Sequence, residues 1–401
     1  MVPGSDPVET ALQNHRAHFP ALQKHAYFNY GGQGPLPQQA IASILQAHEA
    51  LQQVGPFSNQ AYAWIARETA AVRAAIAQEL QVSPATIALT ENVSVGCNIA
   101  IWGIDWREGD HLLLSDCEHP SVVATAEQVR QRFGVKLSYC SLMATLNQGD
   151  PIAAIAQSLR PTTRLVAISH ILWNTGQVLP LKEIVALCRS YDTQYAPVRL
   201  LVDAAQSVGV LPLNLTELGV DFYAFTGHKW LCGPAGIGGL YVRPETMETL
   251  HPTFIGWRGV TKDEQGNPTG WEPDARRYEV ATSDFPLFGA LQTAIALHQG
   301  WGTAEQRYHR ICTLSAYLWQ RLTELPQIEC LRTAPPEAGL VSFRVNPAGD
   351  STHKTLVQAL EKQGFLLRTI LHPDCIRACV HYLTLESEID QLIEALQHLL
   401  Q

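Results

Sequence analysis

The segment Asp221-Phe-Tyr-Ala-Phe-Thr-Gly-His-Lys-Trp-Leu-Cys-Gly-Pro-Ala-Gly-Ile-Gly-Gly-Leu-Tyr-Val242 contains the strongest indication of the fold. Two apolar runs, Phe222–Phe225 and Gly239–Val242, predict short buried strands, and Lys229 follows the end of the first one. In open α/β sheets, ligands bind at the edge where the parallel strands end. Lys229 therefore has two interpretations here: a nucleophilic amine in an apolar, glycine-rich setting, or a strand-end lysine that reaches solvent.

Strand and helix patterns alternate on the N-terminal side of this segment. The apolar runs His111–Ser115, Arg164–Ile168 and Arg199–Val202 predict further strands. Strands that are apolar at nearly every position are typical of parallel sheets that are covered on both faces. The expected helices are Trp64–Leu80, one that opens at Ser94, Pro120–Phe133 and Leu181–Arg189. The sequence thus predicts an α/β fold with a mostly parallel sheet.

The pattern changes after about residue 285. A helix over Leu287–His298 is followed by a possible capping box at Thr303 and Gln306. Strands are expected around 340–345, 365–370 and 376–382, with helices at about 352–362 and 387–400, and Asp263–Gly270 is expected to be an exposed loop. We therefore predict three parts: an N-terminal segment, 1–30, that packs with the small domain; a large domain, 31–285; and a smaller C-terminal α+β domain, 286–401.

Composition limits the classes of protein and partner. Of the 401 residues, 46% are apolar and only 16% are charged, which excludes a disordered chain. The net charge of −9 argues against nucleic-acid and membrane-surface binding, because both of those surfaces are anionic. No apolar run approaches the ~20 residues of a membrane span, and Met1–His18 lacks the apolar core of a signal peptide.

The cysteines indicate the cellular compartment of the protein. There are nine of them, an odd number, and no close CxxC pair occurs. We therefore expect neither a disulfide framework nor a metal site. Reduced thiols are typical of a cytoplasmic protein, which is the location that we expect.

Three further polar positions lie at predicted strand ends or helix starts. Asp203 ends a strand, where a carboxylate is either a helix cap or the partner of a buried cation such as a pyridinium nitrogen. The segment Thr90–Asn98 opens a helix with small polar residues, whose free N–H groups can bind an anion, as can many ordinary helix starts. His119, within Cys117–Ser121, either stacks on an aromatic ring or is an ordinary surface or core histidine.

The order and spacing of these positions strengthen the functional interpretation. With Lys229 lying 26 residues beyond Asp203, the chain resembles the fold-type I pyridoxal-phosphate enzymes, specifically the class V aminotransferase/cysteine desulfurase family. The resemblance runs from Phe28–Pro37 to the final helix, and Thr226–Lys229 and Val202–Gln206 are its most specific segments. It implies the fold-type I transferase fold, with pyridoxal 5'-phosphate as the cofactor of the large domain.

The resemblance also implies a role for each matching residue. Lys229 would be the Schiff-base lysine and His119 the histidine stacked on the ring, and both are expected to be catalytic. Asp203 would pair with the ring nitrogen and Gln206 with the ring hydroxyl. The expected phosphate ligands are Ser94, the Val95 backbone, Thr226, His228 and, from a neighbouring subunit, Thr282. The expected substrate-binding residues are Gly31, His170, Asn174, Trp257, Arg368 and Arg377. Such sharing of residues between subunits implies a homodimer.

The two arginines in the tail have a second interpretation. Either Arg368 or Arg377 alone would be read as part of a solvated strand face. In the family, the matching positions bind the substrate carboxylate, which a planar guanidinium can hold through two parallel hydrogen bonds.

The segment between these arginines bears on the reaction. One group of desulfurases carries its acceptor cysteine in an Arg-Thr-Gly-x-x-Cys motif, whereas Arg368–Cys375 reads Arg-Thr-Ile-Leu-His-Pro-Asp-Cys. Ile370 replaces the glycine, and the cysteine comes two residues late. Only nine positions separate Arg368 from Arg377, so the loop is short. We therefore expect Cys375 to be a passive thiol rather than a sulfur acceptor.

Without an acceptor thiol, the expected reaction is β-elimination. The segments Ser169–Gly176, Gly256–Arg258 and Arg368–Cys375 are most similar to the C–S lyases of this family. The resemblance implies cleavage of L-cystine or L-cysteine to pyruvate, ammonia and a persulfide or sulfide, which an acceptor protein could use for iron–sulfur cluster assembly. Three alternatives stay open: a cysteine desulfurase that gives alanine, a class V aminotransferase or epimerase, and a non-catalytic pyridoxal-phosphate-binding protein.

Overall fold

The structure of the protein is a computed structural model that describes residues 7–194, 197–346 and 352–400. The first six residues of the predicted N-terminal segment, and Gln401 of the predicted small domain, lie outside these ranges. In chain order the strands are β1 (Ala26–Tyr27), β2 (Ile87–Thr90), β3 (His111–Ser115), β4 (Lys136–Cys140), β5 (Thr163–Ser169), β6 (Arg199–Asp203), β7 (Phe222–Thr226), β8 (Gly238–Val242), β9 (Val260–Lys262), β10 (Pro268–Trp271), β11 (Ile328–Cys330), β12 (Leu340–Val345), β13 (Phe365–Leu366), β14 (Arg368–Leu371) and β15 (Asp374–Cys379). The α-helices are α1 (Pro7–Arg16), α2 (Gln38–Val54), α3 (Asn59–Leu80), α4 (Val93–Trp102), α5 (Pro120–Phe133), α6 (Pro151–Ser158), α7 (Leu181–Ser190), α8 (Leu215–Leu218), α9 (Pro244–Met247), α10 (Pro286–Trp301), α11 (Ala304–Thr323), α12 (His353–Lys362) and α13 (Glu386–Leu399).

Within the described residues, seven strands form the large sheet in the order β2-β8-β7-β6-β5-β3-β4. Strand β8 runs antiparallel to both of its neighbours, and every pair from β7 to β4 is parallel. The strands are apolar at successive positions because both faces are covered: Leu112 and Leu201 pack with Ile101 of α4, whereas Leu113 and Val202 pack in a separate core with α3 and α7. The predicted α/β fold with a mostly parallel sheet is confirmed.

The C-terminal part has its own sheet and core. Among the described residues its antiparallel strands are ordered β11-β12-β15-β14, and Val341 and Ile376 of this sheet pack against α11, α12 and α13. The predicted capping box is present at the start of α11, where the Thr303 hydroxyl accepts from the Gln306 N–H at 3.3 Å and the Gln306 side chain accepts from the Thr303 N–H at 2.9 Å. The C-terminal part is therefore α+β, as the sequence predicts.

The N-terminal segment joins this C-terminal part rather than standing apart. Strand β1 pairs in parallel with β13, and Phe28 is buried in the same core as β12 and β15. The Arg16 guanidinium forms a buried ion pair with Glu388 of α13 at 2.7 Å. This pairing also explains why one predicted strand at 365–370 is two short strands: β13 bonds to β1, whereas β14 bonds to β15.

Two segments differ from expectation. The segment Asp263–Gly270 is not wholly a loop, because its last residues form β10, which pairs with β9. The predicted boundary at 285 places helix α10 in the small domain. In the structure, however, Phe288, Leu291 and Ile295 of this helix are buried in the core beside the large sheet, next to α2 and α3. The division into domains stays a prediction, and this packing favours a second boundary after Trp301.

Among the helices described, none combines the length and the hydropathy that a membrane span needs. No group of three histidine, cysteine or acidic side chains in these ranges is placed to bind a metal ion.

Candidate active site

A small cavity of about 40 Å³ lies where β5, β6 and β7 end and α4 begins. Its walls are Val93, Ser94, His119, Ser169, Ile171, Trp173, Asp203, Ala205, Gln206 and Lys229. Five of the predicted site residues are therefore brought together: Ser94, His119, Asp203, Gln206 and Lys229. The cavity lies at the edge where an open parallel sheet places its ligands.

Lys229 is positioned by the turn that follows β7. Its backbone carbonyl accepts from the Cys232 N–H at 2.9 Å, and the preceding His228 carbonyl accepts from the Gly34 N–H at 2.7 Å. Burial lowers the pKa of the Lys229 amine to about 8; the Asp203 carboxylate raises it, and the guanidiniums of Arg377 and Arg368 lower it further. A lysine with this pKa is partly deprotonated near neutral pH, which a nucleophile or a general base requires.

Asp203 ends β6 and is buried at 6% exposure. One carboxylate oxygen accepts from the Ala205 N–H at 2.9 Å, so the residue does cap the turn that follows the strand. Burial raises the pKa of Asp203, whereas the Ala205 N–H and the charges of Lys229 and His119 lower it. No side-chain cation donates a hydrogen bond to it within the described residues, so the carboxylate can accept one from a cationic ring nitrogen.

Gln206 connects the cavity to the N-terminal segment. Its side-chain N–H donates to the Gly31 carbonyl at 2.9 Å, and its side-chain oxygen accepts from the Trp230 indole at 2.8 Å. A side chain at position 31 would not fit, because its Cβ would lie 2.9 Å from both Arg377 Nη2 and Gln206 Oε1. Gly31 thus allows the N-terminal segment to approach Arg377.

The start of α4 supplies N–H groups to the cavity. Asn92 caps the helix by accepting from the Val95 N–H at 3.1 Å, so the predicted Val95 donor is already engaged. The N–H groups of Val93 and Ser94 have no partner among the described residues, and they lie in the first turn of the helix, as an anion site requires. Of the other predicted phosphate ligands, Thr226 and His228 hydrogen-bond each other at 2.6 Å.

A larger cleft of about 960 Å³ opens on the N-terminal end of α4. Ser94 and Val95 line it together with Thr282, which does not line the small cavity of its own chain. Trp257 lines neither space and is 51% exposed. Neither residue is therefore placed beside Lys229 within a single chain.

His119 caps α5 and borders the cavity. Its Nδ1 accepts from the Ser121 N–H at 3.3 Å, which fixes the ring relative to the helix. The Trp173 indole meets this ring edge-on, with ring centroids 5.6 Å apart and an interplanar angle of 72°. Burial, followed by the charge of Lys229, lowers the pKa of His119, which favours a neutral ring that can stack on an aromatic system.

Arg368 and Arg377 are cross-strand neighbours. They lie directly opposite each other in the β14–β15 pair, so both side chains leave the same face of the sheet. Arg377 is fully buried; its Nη1 donates to the Trp173 carbonyl at 2.6 Å, whereas its Nε and Nη2 have no partner among the described residues. Two adjacent cations with an unused pair of donors fit a carboxylate ligand.

Two predicted substrate residues have different surroundings. Asn174 donates to the His372 carbonyl at 3.2 Å, and its side-chain oxygen is buried without a partner in the described structure. His170 does not line the cavity: its Nδ1 bonds to the Tyr223 hydroxyl at 2.8 Å, and burial lowers its pKa to about 3. Asn174 is thus available to a ligand. His170 instead stabilises the end of β6, because its backbone N–H donates to the Asp203 backbone carbonyl at 3.1 Å.

Cys375 is part of the protein interior. It lies on β15 opposite Ile370, and the two-residue turn between β14 and β15 is His372–Pro373. Its side chain is fully buried in a small core with Leu331, and burial raises its pKa to about 12. A thiol in this position is neither ionised nor exposed, and the hairpin that carries it has no long loop.

Sequence reasoning missed two residues of the site. Trp173 contacts His119 and binds Arg377 through its carbonyl, yet in the sequence it is only one more aromatic residue next to Asn174. Glu118 is a buried carboxyl group directly before His119. Nothing in its neighbours along the chain separates it from a surface glutamate, because its three hydrogen-bond donors come from two strand ends.

Together these residues fit the pyridoxal phosphate that the sequence predicts. A buried carboxylate faces the same cavity as a lysine of lowered pKa, and unpartnered N–H groups of Val93 and Ser94 adjoin it. The unused donors of Arg377 lie beside Gly31 and are suited to a carboxylate. Each of these polar groups can therefore be matched by a group of the cofactor or of an amino acid.

Comparisons with known proteins agree with this geometry. Residues 26–391 match the family model for Aminotransferase class-V. The solved cystine C–S lyase C-DES, in complex with its reaction product cysteine persulfide, is 50% identical, with a TM-score of 0.92 over 94% of this chain and 98% of that chain. Another structure of C-DES, a variant with glycine covalently linked to its pyridoxal-phosphate cofactor, superimposes with a TM-score of 0.93 over 95% of this chain and 98% of that one, at 50% identity.

More distant relatives have other activities. The isopenicillin N epimerase of Streptomyces clavuligerus is 29% identical over 92% of this chain and 94% of its own length. A probable cysteine desulfurase of Xylella fastidiosa is 27% identical over 95% of this chain and 94% of its own length. The predicted fold-type I transferase fold is confirmed, and the chain belongs to the class V aminotransferase family.

Proposed function

We propose that this pyridoxal-phosphate-dependent enzyme is a C–S lyase that cleaves L-cystine, or L-cysteine, by β-elimination. The observation that carries the proposal is the burial of Cys375 in a tight hairpin, at the place where a desulfurase would need a mobile acceptor thiol. The 50% identity to a cystine C–S lyase over nearly the whole chain supports the same reaction. The 27% identity to a probable cysteine desulfurase is compatible with shared ancestry.

The proposed cofactor contacts follow from the cavity. Lys229 would hold the cofactor through its amine, and Asp203 would keep a proton on the ring nitrogen. His119 would cover one face of the ring, while the start of α4, with Ser94, would bind the phosphate. When bound, pyridoxal phosphate supplies a ring that withdraws electrons from Cα of the substrate.

The substrate carboxylate is proposed to bind between the two arginines. Arg377 offers Nε and Nη2, the two donors that lie on one edge of a guanidinium, and Arg368 stands opposite on β14. Fixing the carboxylate also fixes the rotation about Cα, so that the Cα–H bond faces the Lys229 amine. Asn174, with its unpartnered side-chain oxygen, would contact the substrate or the cofactor next to Arg377.

Lys229 would then act as the general base. Its amine takes the proton from Cα, the Cβ–S bond breaks, and the electron pair of that bond leaves with sulfur. With cystine the leaving group is cysteine persulfide. Water then converts the remaining three-carbon unit to pyruvate and ammonia, so that no oxidant or reductant is consumed. The persulfide carries a transferable sulfane sulfur, which an iron–sulfur acceptor protein could use as cluster sulfide once a thiol or another two-electron reductant reduces it.

A homodimer with shared active sites is part of this proposal. Thr282 and Trp257 do not approach Lys229 of their own chain, and Phe254, which lines the larger cleft, is 76% exposed. A second copy that covers the cleft would bury such an aromatic side chain and bring Thr282 to the other subunit's phosphate site. The proposed location is the cytoplasm, where nine unpaired cysteines stay reduced.

The products of the holoenzyme with cystine test the proposal. We expect one pyruvate and one ammonia for each persulfide released. Alanine as the carbon product would indicate a desulfurase, exchange of the amino group with a keto acid would indicate an aminotransferase, and inversion at Cα would indicate an epimerase. A bound cofactor with no turnover of any of these kinds would indicate a binding protein.

A further inference from the structure

Glu118 is a buried carboxyl group that has no role in the reaction as described above. Its exposure is 7%. The Ser169 N–H donates to Oε1 at 3.1 Å, the Ser169 hydroxyl donates to Oε2 at 2.7 Å, and the Ser115 hydroxyl also donates to Oε1. Within the described residues all of its hydrogen-bond donors are thus neutral, and no cation neutralises the carboxylate. A buried negative charge without a cationic partner lowers the stability of a fold, so its presence at this position calls for a functional explanation.

The position of Glu118 links it to the cofactor site in two ways. Ser115 and Ser169 end the neighbouring strands β3 and β5, so the carboxylate joins two strand ends at the ligand edge of the sheet. The next residue in the chain is His119, whose backbone is therefore held by the same contacts. Ser169 also lies opposite Asp203 in the β5–β6 pair and lines the cavity. Glu118 is thus one strand away from Asp203.

The charged and titratable groups around Glu118 determine the pH range in which it carries its negative charge. Burial raises the pKa of Glu118 to about 7, the hydrogen bonds from Ser115 and Ser169 lower it, and the charge of Asp203 raises it again. Cys97 of α4 faces both carboxylates, and its pKa is raised by burial, then by Asp203 and Glu118. Asp116 and the thiols of Cys117 and Cys140 are further neighbours, and burial raises the pKa values of the two thiols. Glu118 and Asp203 are therefore two carboxylates in one buried region, and the thiols beside them stay neutral.

We propose that Glu118 is a positioning residue for the cofactor, which holds His119 over the ring and places a second negative charge behind Asp203 so that the ring system keeps its proton. The proposal rests on the roles proposed above for Asp203 and His119. Charge and geometry can be separated, because glutamine has nearly the shape of glutamate. Its oxygen can accept the bonds from Ser115 and the Ser169 N–H, while its amide can donate to the Ser169 hydroxyl.

The test is a pH titration of the visible absorption band of the holoenzyme. Removing a nearby negative charge makes protonation less favourable, so Glu118→Gln should lower the midpoint pH of the band by about 0.5–1.5 units. Glu118→Ala should lower it similarly and also speed the dissociation of pyridoxal phosphate by about tenfold, because His119 loses its anchor. Asp221→Asn is the matched control: Asp221 is buried at the opposite end of the same sheet, where it accepts from the Leu200 N–H at 2.9 Å, and the midpoint should not move.

A folded Glu118→Gln variant whose midpoint stays within about 0.1 unit of the wild-type value, well below the expected shift of about 0.5–1.5 units, would overturn the electrostatic role. If Glu118→Gln does not fold, Ser169→Ala replaces it: loss of one donor favours protonated Glu118, and a smaller shift of the same sign is expected, whereas no shift would again overturn the proposal. Asp203→Asn separates this result from the proposed function. If Asp203→Asn leaves the band unchanged, the cofactor assignment itself fails; if it changes the band and Glu118→Gln does not, only the role of Glu118 fails.

Discussion

The carboxyl edge of the large sheet and the β14–β15 hairpin of the small sheet build one site by different means. At the sheet edge, Asp203 ends one strand and His119 and Lys229 each follow another, and parallel strands bring their ends together whatever the loops contain. On the hairpin, Arg368 and Arg377 meet only because the antiparallel register sets them opposite each other. The first arrangement suits a cofactor shared by a family. The second is proposed to hold the substrate carboxylate, and it buries Cys375, the thiol that a desulfurase would need to expose.

The largest effect is expected at the sheet edge. Lys229→Ala should lower pyruvate formation from cystine by about 10³-fold or more, because the base and the covalent anchor are both lost. Lys182→Ala, an exposed lysine on α7, is the matched control and should keep wild-type rates. Pyruvate formation at the wild-type rate by the Lys229 variant would remove the residue from the reaction.

The hairpin should show a smaller effect that depends on the shape of the cation. Arg377→Lys retains the charge but removes the paired donors Nε and Nη2, so kcat/KM for cystine should fall by about 10²-fold. Arg344→Lys changes an exposed arginine of the same sheet and should have no effect. If the Arg377 and Arg344 variants behave alike in steady-state kinetics, the carboxylate is not held by this hairpin.

The dimer prediction can be tested by mixing defective subunits. If Trp257 acts in the neighbouring subunit's site, a heterodimer of Lys229→Ala and Trp257→Ala chains has one site with both changes and one with neither. Co-refolding equal amounts should then restore about a quarter of the wild-type rate, since random pairing gives heterodimers in half of the molecules. Two Trp257-dependent sites that each use their own chain would show no recovery above the sum of the separate variants.

The smallest effect is expected where α10 packs against the segments that follow β7 and β15. His298 of α10 accepts from the Tyr382 hydroxyl at 2.5 Å and donates to the Leu231 carbonyl at 2.8 Å, and burial lowers its pKa to about 3. Between about pH 3 and 6.5 the unfolded chain therefore binds a proton that the folded chain does not, so the free energy of unfolding falls as the pH falls, by up to about 1.4 kcal/mol per pH unit from this group.

Urea unfolding at pH 5 and pH 7 measures this dependence. His298→Gln should reduce the difference between the two pH values, even if the variant is less stable at both. His309→Gln, which changes a histidine of α11 on the exposed side of the helix, should leave the difference as it is in the wild type. An unchanged difference in the His298 variant would mean that this histidine is not kept neutral by the fold.

The sheet edge could be predicted from sequence because its cues are local. Apolar strands that end in Asp203 or before Lys229 are visible along the chain, and the strand bounds agree with the structure to within one or two residues. The role of Glu118 could not be predicted, since only the meeting of Ser115 and Ser169 shows that this carboxyl group is buried. The packing of α10 was also missed, because an apolar helix does not reveal which of two cores it joins.

The hairpin lies between these cases. The sequence shows that the segment between Arg368 and Arg377 is short and that its cysteine is displaced, which predicts a passive thiol, and the structure buries that thiol. The register that pairs the arginines, and the core that covers Cys375, depend on contacts between β12, β14 and β15. The contacts with β12 and with Leu331 join residues that are distant in the sequence, so local patterns do not specify them.

The central claim is that the hairpin provides no sulfur acceptor, so that elimination is the only outlet for the bound substrate. The direct measurement is the ratio of pyruvate to alanine formed from cystine and from cysteine in single turnovers, for the wild type and for Cys375→Ala. We predict pyruvate without alanine in both proteins and with both substrates. Alanine formed by the wild type and lost in the Cys375→Ala variant would contradict the account and identify Cys375 as the acceptor of a desulfurase.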